Sequence, residues 1–290
     1  MNIVINLNKD FGITSHDAVT AVKKLFKVRK AGHAGTLDPI ATGVLLVCLN
    51  EATKISSLLS DIDKEYIMTA KLGESTDTYD SEGKVIKATT DFNITRNEIE
   101  NVIQKFVGEI EQIPPMYSAI KVSGKPLYKL ARKGIEVQRK PRKITINYIE
   151  ILRFAPPSLT LKVSCSKGTY MRSLCNDIGN SLGVGAHMTE LIRTRIGEFT
   201  IENSAKISEL PHKTASLCSI DAALKHLPEI KLEGDDLKRA KNGNPIIPPC
   251  PHLVKGGKGG FVRLKDSEGK LFGIGKVSKD SIKIERLLKL

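Results

Sequence analysis

The run Tyr66-Ile67-Met68-Thr69-Ala70-Lys71-Leu72-Gly73 constrains the fold of this chain most. Tyr66, Met68, Ala70 and Leu72 alternate with Ile67, Thr69 and Lys71. A two-residue period puts successive side chains on opposite faces of a strand, so the run predicts a strand that ends at Gly73. Further β-rich runs follow the same reading at Val44 to Leu49, Lys84 to Lys87, Ser118 to Val122, Ile144 to Phe154 and Leu159 to Ser166.

Helical spacing interrupts these runs without a regular alternation. Thr14 and Asp17 have capping-box spacing ahead of Ala18, Val19, Val22, Leu25 and Phe26, which predicts a helix from about Ser15 to Lys27. Thr95 and Glu98 repeat the signal before Ile99, Val102, Ile103, Phe106 and Val107, and Glu51 to Ser60 and Tyr170 to Leu182 also read as helices. The mixed order predicts an α+β fold: a mixed, largely antiparallel central sheet with flanking helices, rather than a doubly wound parallel one.

At 290 residues the chain is long enough for roughly two domains. Composition shifts after Pro228: Asp235 to Lys241 looks helical, Asn242 to Pro251 is rich in Asn, Gly and Pro, and short β-rich runs lie near Phe261, Leu271 and Ile282. We therefore expect a main domain at residues 1–228 and a small β-rich domain at 229–290. The run Gly256-Gly257-Lys258-Gly259-Gly260 lacks the residue order of a nucleotide-binding loop and reads as a hairpin tip.

Charge narrows the partners. Lys and Arg number 45 against 32 Asp and Glu, a formal net charge of +13. Between Lys121 and Lys143 the basic residues are Lys121, Lys125, Lys129, Arg132, Lys133, Arg139, Lys140, Arg142 and Lys143, opposed within the segment by Glu136 alone. A solvated helix face interleaves opposite charges, whereas this concentration fits a polyanion such as nucleic acid. No apolar run approaches the ~20 residues that span a bilayer, and the Met1 region lacks a secretory pattern, so a cytoplasmic location is expected. The cysteines Cys48, Cys165, Cys175, Cys218 and Cys250 form no C-x-x-C pair and read as buried thiols.

The six histidines form no H-E-x-x-H pattern, Cys250-Pro251-His252 does not by itself complete a zinc site, and no nucleophile elbow or dinucleotide fingerprint is present. What remains is a carboxylate. Asp38 lies in Gly32-His33-Ala34-Gly35-Thr36-Leu37-Asp38-Pro39-Ile40-Ala41-Thr42-Gly43, a glycine-hinged loop read as joining a helix to a buried strand. Asp-Pro serves equally well as a turn or as the seat of a nucleophile, and the loop alone leaves both open.

Four segments in order settle on a resemblance. Gly32 to Leu45 resembles the catalytic loop of the TruB family of pseudouridine synthases. Lys64-Glu65-Tyr66 through Asp80, Gln112-Ile113-Pro114-Pro115-Met116-Tyr117-Ser118-Ala119 and Cys165-Ser166-Lys167-Gly168-Thr169-Tyr170-Met171-Arg172 resemble its other motifs. The similarity spans about Asn8 to Phe199 and is closest to the bacterial tRNA uridine-55 synthases, while residues 229–290 resemble the family's small RNA-binding domain loosely. One departure is Asp10, where the family usually has proline after lysine.

The resemblance implies a uridine isomerase that acts on the TΨC loop of tRNA without a cofactor or metal, with no membrane association and no obligate protein partner. A monomer is the default expectation. It makes Asp38 the nucleophile, Arg172 the arginine paired with it, and Tyr66 the aromatic that stacks on the target base and helps remove its C5 proton. His33, Tyr170 and Leu191 match positions that hold the extruded nucleotide, and Asp80 matches a polar residue near the tyrosine. Rival readings are an RNA-binding protein without catalysis and a carboxylate-based nucleosidase.

Overall fold

The computed structural model describes residues 1–118, 120–122, 124–210, 212–247, 260–278 and 281–290. Ala119 of the third motif, Cys250, His252 and the run Gly256 to Gly259 lie outside them.

A ten-stranded sheet organises the chain. Its path runs Leu217–Ser219, Ile3–Lys9, Ala41–Leu49, Ala186–Ile196, Lys64–Leu72, Ser158–Cys165, Arg142–Ala155 and Gly108–Gln112, with Ala31–Ala34 and Phe199–Thr200 paired off the path. Ala186–Ile196 runs parallel to Ala41–Leu49, and the other named pairings in this sheet are antiparallel. This is the mixed, largely antiparallel sheet that the order of runs predicts.

Burial explains why Val44 to Leu49 is a continuous apolar run while Tyr66 to Leu72 alternates. Leu45, Val47 and Leu49 face one core, formed with the helices Ser15–Leu25, Arg96–Gln104 and Met171–Ser181; Val44, Leu46 and Cys48 face a second core on the opposite side. A strand covered on both faces needs apolar residues at every position. Lys64–Leu72 sets Tyr66, Met68, Ala70 and Leu72 into the first core only.

Both capping boxes form, at Thr14 with Asp17 and at Thr95 with Glu98. The first helix stops at Leu25 rather than Lys27, because Lys27 takes a left-handed φ of 50° that ends the helical path. Glu51 to Ser60 opens as a tight 3₁₀ turn over Asn50–Ile55 before the α-helix Ser56–Ser60. Ser118 to Val122 contributes only Lys121–Val122, paired with Lys125–Pro126, since a turn from Met116 to Ser118 and Pro126 leave no room for a longer ladder.

The C-terminal strands form a separate four-stranded sheet in the order Glu229–Lys231, Phe261–Lys265, Leu271–Val277, Ile282–Leu287. Ile230, Leu264 and Ile282 sit in its own core with Ala240 of the helix Gly234–Lys241. Leu271, Ile274 and Leu288 belong instead to the second core of the large sheet. Arg263 and Lys265 reach across to Asp221 at 2.7 and 2.9 Å, so the small sheet is mounted through apolar contacts and charge-assisted hydrogen bonds together. Among the described residues no helix is long and apolar enough to cross a membrane.

Candidate active site

The Asp38 loop is narrower than the sequence suggests. Ala31–Ala34 and Ala41–Leu49 are antiparallel neighbours, so Asp38 lies in the connection of a hairpin rather than between a helix and a strand. Leu37 and Ile40 are buried and anchor the connection in the apolar core. Ser15, at the start of the first helix, accepts from the Leu37 amide at 2.8 Å and donates to the Leu37 carbonyl at 2.9 Å. The Gly12 amide holds the Pro39 carbonyl at 2.9 Å, and Ala41 closes back onto the Asp38 carbonyl at 3.1 Å. The backbone on both sides of Asp38 is thus tied down, while its side chain keeps 37% of its surface open to a cleft of about 710 Å³.

Arg172 meets it there. Arg172 is 7% exposed and uses all three guanidinium nitrogens: Nε lies 3.0 Å from Asp38 Oδ2, Nη1 lies 3.3 Å from Asp80 Oδ2, and Nη2 donates to the Tyr117 carbonyl at 2.7 Å. A planar fork held at three points leaves the Asp38 partner no rotational freedom. The preceding residue is fixed independently, because the Gln112 side chain accepts from the Tyr170 amide at 2.8 Å and donates to the Tyr170 carbonyl at 3.1 Å. Pro114-Pro115 follows Gln112, so the third motif seats the fourth.

Asp80, expected to hold the nucleotide near the tyrosine, turns its carboxylate to Arg172. It is buried behind Arg172 and does not line the cleft; Thr78 Oγ1 and the Glu82 amide donate to its Oδ1 at 2.5 and 3.1 Å, leaving Oδ2 for Arg172. Its contacts suit orienting the arginine, and none is directed at a nucleotide in the cleft.

Tyr66, His33, Tyr170 and Leu191 all line the same cleft as Asp38 and Arg172. The structure therefore brings together every candidate except Asp80, which joins through Arg172. Tyr117, Ser118, Tyr128 and Arg132 form a further wall, so part of the basic segment faces the site directly. Elsewhere in that segment Arg139 pairs with Glu136 at 3.5 Å, and Lys143 pairs with Glu109 from outside it at 3.0 Å.

The sequence reading missed Arg193, the largest fully buried side chain among the described residues, at 1% exposure. It stands opposite Tyr66 in the pairing of Ala186–Ile196 with Lys64–Leu72, two residues beyond Leu191 on the same face. Nε donates to the Val44 carbonyl at 2.6 Å and Nη2 to the Gly35 carbonyl at 3.0 Å, which ties together the two ends of the Asp38 hairpin connection. Lys9 was missed too: it is fully buried, and its Nζ donates to the carbonyls of Asp10 and Ile13 at 2.9 and 2.8 Å. The signal available for both was a basic residue inside a strand pattern.

Burial dominates the electrostatics. It pushes the Asp38 carboxyl above its ordinary 3.8; Arg172 opposes the shift, Asp80 adds to it, and Lys9 opposes it again. Burial raises the Tyr66 hydroxyl above 10.0, with Arg193 pulling against it, and raises Tyr170 likewise. It lowers Lys9 to about 8. His33 is also lowered, by burial and by Arg193, so at neutral pH its ring is uncharged; its Nδ1 is buried without a hydrogen-bond partner among the described residues.

Two family models match most of the chain. The model for the N-terminal domain of the TruB family pseudouridylate synthases matches residues 23–171, and that for the tRNA pseudouridylate synthase B C-terminal domain matches residues 172–226. With the fold and the cleft, they define the class as a pseudouridine synthase, an isomerase. Relatives named tRNA pseudouridine synthase B include one from Clostridium tetani, 47% identical over 99% of this chain and 100% of its own length, and one from Dechloromonas aromatica, 45% identical over 94% and 90%. The chain belongs to the TruB family. Solved structures point the same way: a Cbf5-Nop10-Gar1 complex is similar with a TM-score of 0.76 at 28% identity over 98% of this chain and 84% of that one. An H/ACA RNP bound to a substrate RNA containing 2'-deoxyuridine is similar at 0.75 and 26%, over 99% and 85%.

Proposed function

We propose that this protein converts uridine 55 in the TΨC loop of tRNA to pseudouridine, with Asp38 as the nucleophile acting on a flipped-out nucleotide. The observation that carries the reading is the Asp38 to Arg172 pair at 3.0 Å, opening into the cleft that Tyr66 also lines. The full-length similarity to relatives named tRNA pseudouridine synthase B supports tRNA as the substrate.

The chemistry breaks the bond from ribose C1′ to uracil N1, turns the base and joins C1′ to C5. The C5 proton is lost and N1 gains one, so no redox partner or cofactor is required. The target must first leave its stack, which costs a few kcal/mol and least in a loop. Leu191 and Tyr170 line the space for it, and an uncharged His33 favours stacking or a single hydrogen bond over a salt bridge to phosphate. Arg172 aims the carboxylate and favours its ionised form against the push of burial. Tyr66 lies under the base and carries the proton away from C5.

The basic segment from Lys125 to Lys143 supplies phosphate contacts along the tRNA arm, and residues 229–290 act as a small RNA-binding domain beside a catalytic domain of residues 1–228. The protein works in the cytoplasm as a monomer without an obligate protein partner. The test is tritium release from tRNA labelled at uridine C5. Wild type is expected to release tritium at one site, whereas Asp38→Asn binds the RNA and releases none. Equal release by the variant, or free uracil as product, overturns the proposal.

A further inference from the structure

Arg193 presents an unusual balance of charge. It is buried, yet no carboxylate lies within ion-pair distance of it among the described residues. Burying a charge without a counter-ion is expensive, and an arginine kept in that state calls for an account beyond packing. Nε and Nη2 are satisfied by the carbonyls of Val44 and Gly35. Nη1 lies 3.5 Å from where a Gly35 side chain would begin, and Arg193 lines the cleft.

The group that shares this face is Tyr66. The two residues are register partners on adjacent strands, and the Arg193 Cζ lies 6.0 Å from the centre of the tyrosine ring. The tyrosine is 8% exposed, and Arg193 is the neighbour that favours its ionised form, by its charge and by side-chain hydrogen bonding. Of the neighbouring charges, Asp38 and Cys165 disfavour a phenolate and Arg193 favours it, while burial first, with Arg193 adding to it, lowers Lys64, Lys9 and His33.

We infer that Arg193 is a positioning residue whose buried charge is the counter-ion for a transient Tyr66 phenolate. This rests on the isomerisation proposed above. In that reaction the net proton movement is from C5 to N1 of the uracil ring. Tyr66 carries it: the O–H bond breaks as its proton passes to N1, and the phenolate oxygen then takes the proton from C5, whose bonding pair returns to the ring as the C5=C6 double bond. The tyrosine ends as it began, and Arg193 never touches the base. A fixed cation that needs no reorganisation, in a site sheltered from water, is where such a charge is held most effectively.

A double-mutant cycle tests the assignment. Tritium release at saturating tRNA is measured for wild type, Tyr66→Phe, Arg193→Gln and the double variant, with KM determined alongside and folding checked by circular dichroism. Arg193→Gln is expected to lower kcat by about 10²-fold or more, within the usual range for proton-transfer groups, with KM within threefold. In the Tyr66→Phe background the same change should cost less than about threefold. Arg193→Lys keeps the charge, although one ammonium cannot bridge the Gly35 and Val44 carbonyls, and should retain activity within tenfold of wild type. Equal losses in both tyrosine backgrounds, or a lysine variant as slow as the glutamine one, would show that Arg193 is only a structural tie. Either result leaves the proposed isomerisation standing, because wild-type tritium release and its loss in Asp38→Asn are read separately.

Discussion

Replacing Gly43 by alanine tests whether the parallel pairing between Ala41–Leu49 and Ala186–Ile196 sets the site. Gly43 has φ +96° and faces Arg193 in that pairing. A Cβ there would lie 2.3 Å from the Arg193 carbonyl oxygen and 3.0 Å from its backbone N and C. The left-handed conformation alone costs an alanine about 1–2 kcal/mol. Relieving the overlap requires one strand to shift, and forced backbone movement in a packed core costs about 1–3 kcal/mol. The expected loss is therefore about 2–5 kcal/mol, a large share of the roughly 5–15 kcal/mol that stabilises an ordinary domain. Urea unfolding measures it as a fall in midpoint at constant slope. Gly134→Ala provides the control, since Gly134 has φ +70° with nothing within 4 Å of the added carbon and should show the conformational cost alone. The strand shift also moves Arg193 relative to Tyr66, so the Gly43 variant should lose kcat while Gly134→Ala keeps it. If the two variants are destabilised equally, or Gly43→Ala loses less than about 1 kcal/mol, the close approach does not govern the site.

Other outcomes follow from the same geometry. Burial raises the folded-state pKa of Asp38, so its contribution to stability declines as pH climbs from 3.8 through that raised value; Asp38→Asn should be inactive yet at least as stable as wild type in urea at pH 7. Arg172→Met removes the main group opposing that rise, so the acid limb of kcat should move to higher pH and kcat should fall by about 10²-fold or more; an unmoved limb would deny Arg172 its electrostatic role. Thr95→Ala breaks the capping box of Arg96–Gln104, a helix that does not line the cleft, and should cost about 1 kcal/mol by thermal or urea unfolding without changing kcat.

Periodicity revealed the parts of the sheet with one or two plainly apolar faces. Tyr66 to Leu72 alternates cleanly because Ile67, Thr69 and Lys71 are only partly buried, and Val44 to Leu49 is continuous because both its faces are covered. Ala186–Ile196 escaped for two reasons. Its pairing with Lys64–Leu72 shifts register between Met188 and Glu190 and again between Arg193 and Arg195, which breaks a two-residue period. It also carries Arg193 at a buried position where the pattern demands an apolar residue. Asp38, Tyr66 and Arg172 were recognisable from the motif resemblance, yet their convergence depends on pairings and loop ties spanning distant parts of the chain. The resemblance marked Asp80 as a site residue without saying what it touches, and the turn from Thr76 sets its carboxylate against Arg172.

Neighbouring residues on one strand show how the protein separates stability from chemistry. Glu65 and Tyr66 point to opposite faces of Lys64–Leu72. Burial would push the Glu65 carboxyl up, but Tyr148 donates to it, Thr194 donates at 2.9 Å, and Arg195 and Lys162 pair with it at 3.3 and 3.4 Å, so its pKa lies below 4.5. That is a fully satisfied polar network, and it rigidifies the strand from behind. On the other face burial raises the Tyr66 hydroxyl against the pull of Arg193, Asp38 is held above its ordinary pKa, and Arg193 has no carboxylate within ion-pair distance among the described residues. Each of these costs folding free energy, offset only in part by the carbonyls that Arg193 ties together, and all three groups open into the cleft. Groups left short of their ideal partners are those that a substrate and its developing charges can satisfy, which is why the proposed reaction is assigned to the cleft face rather than to the basic surface.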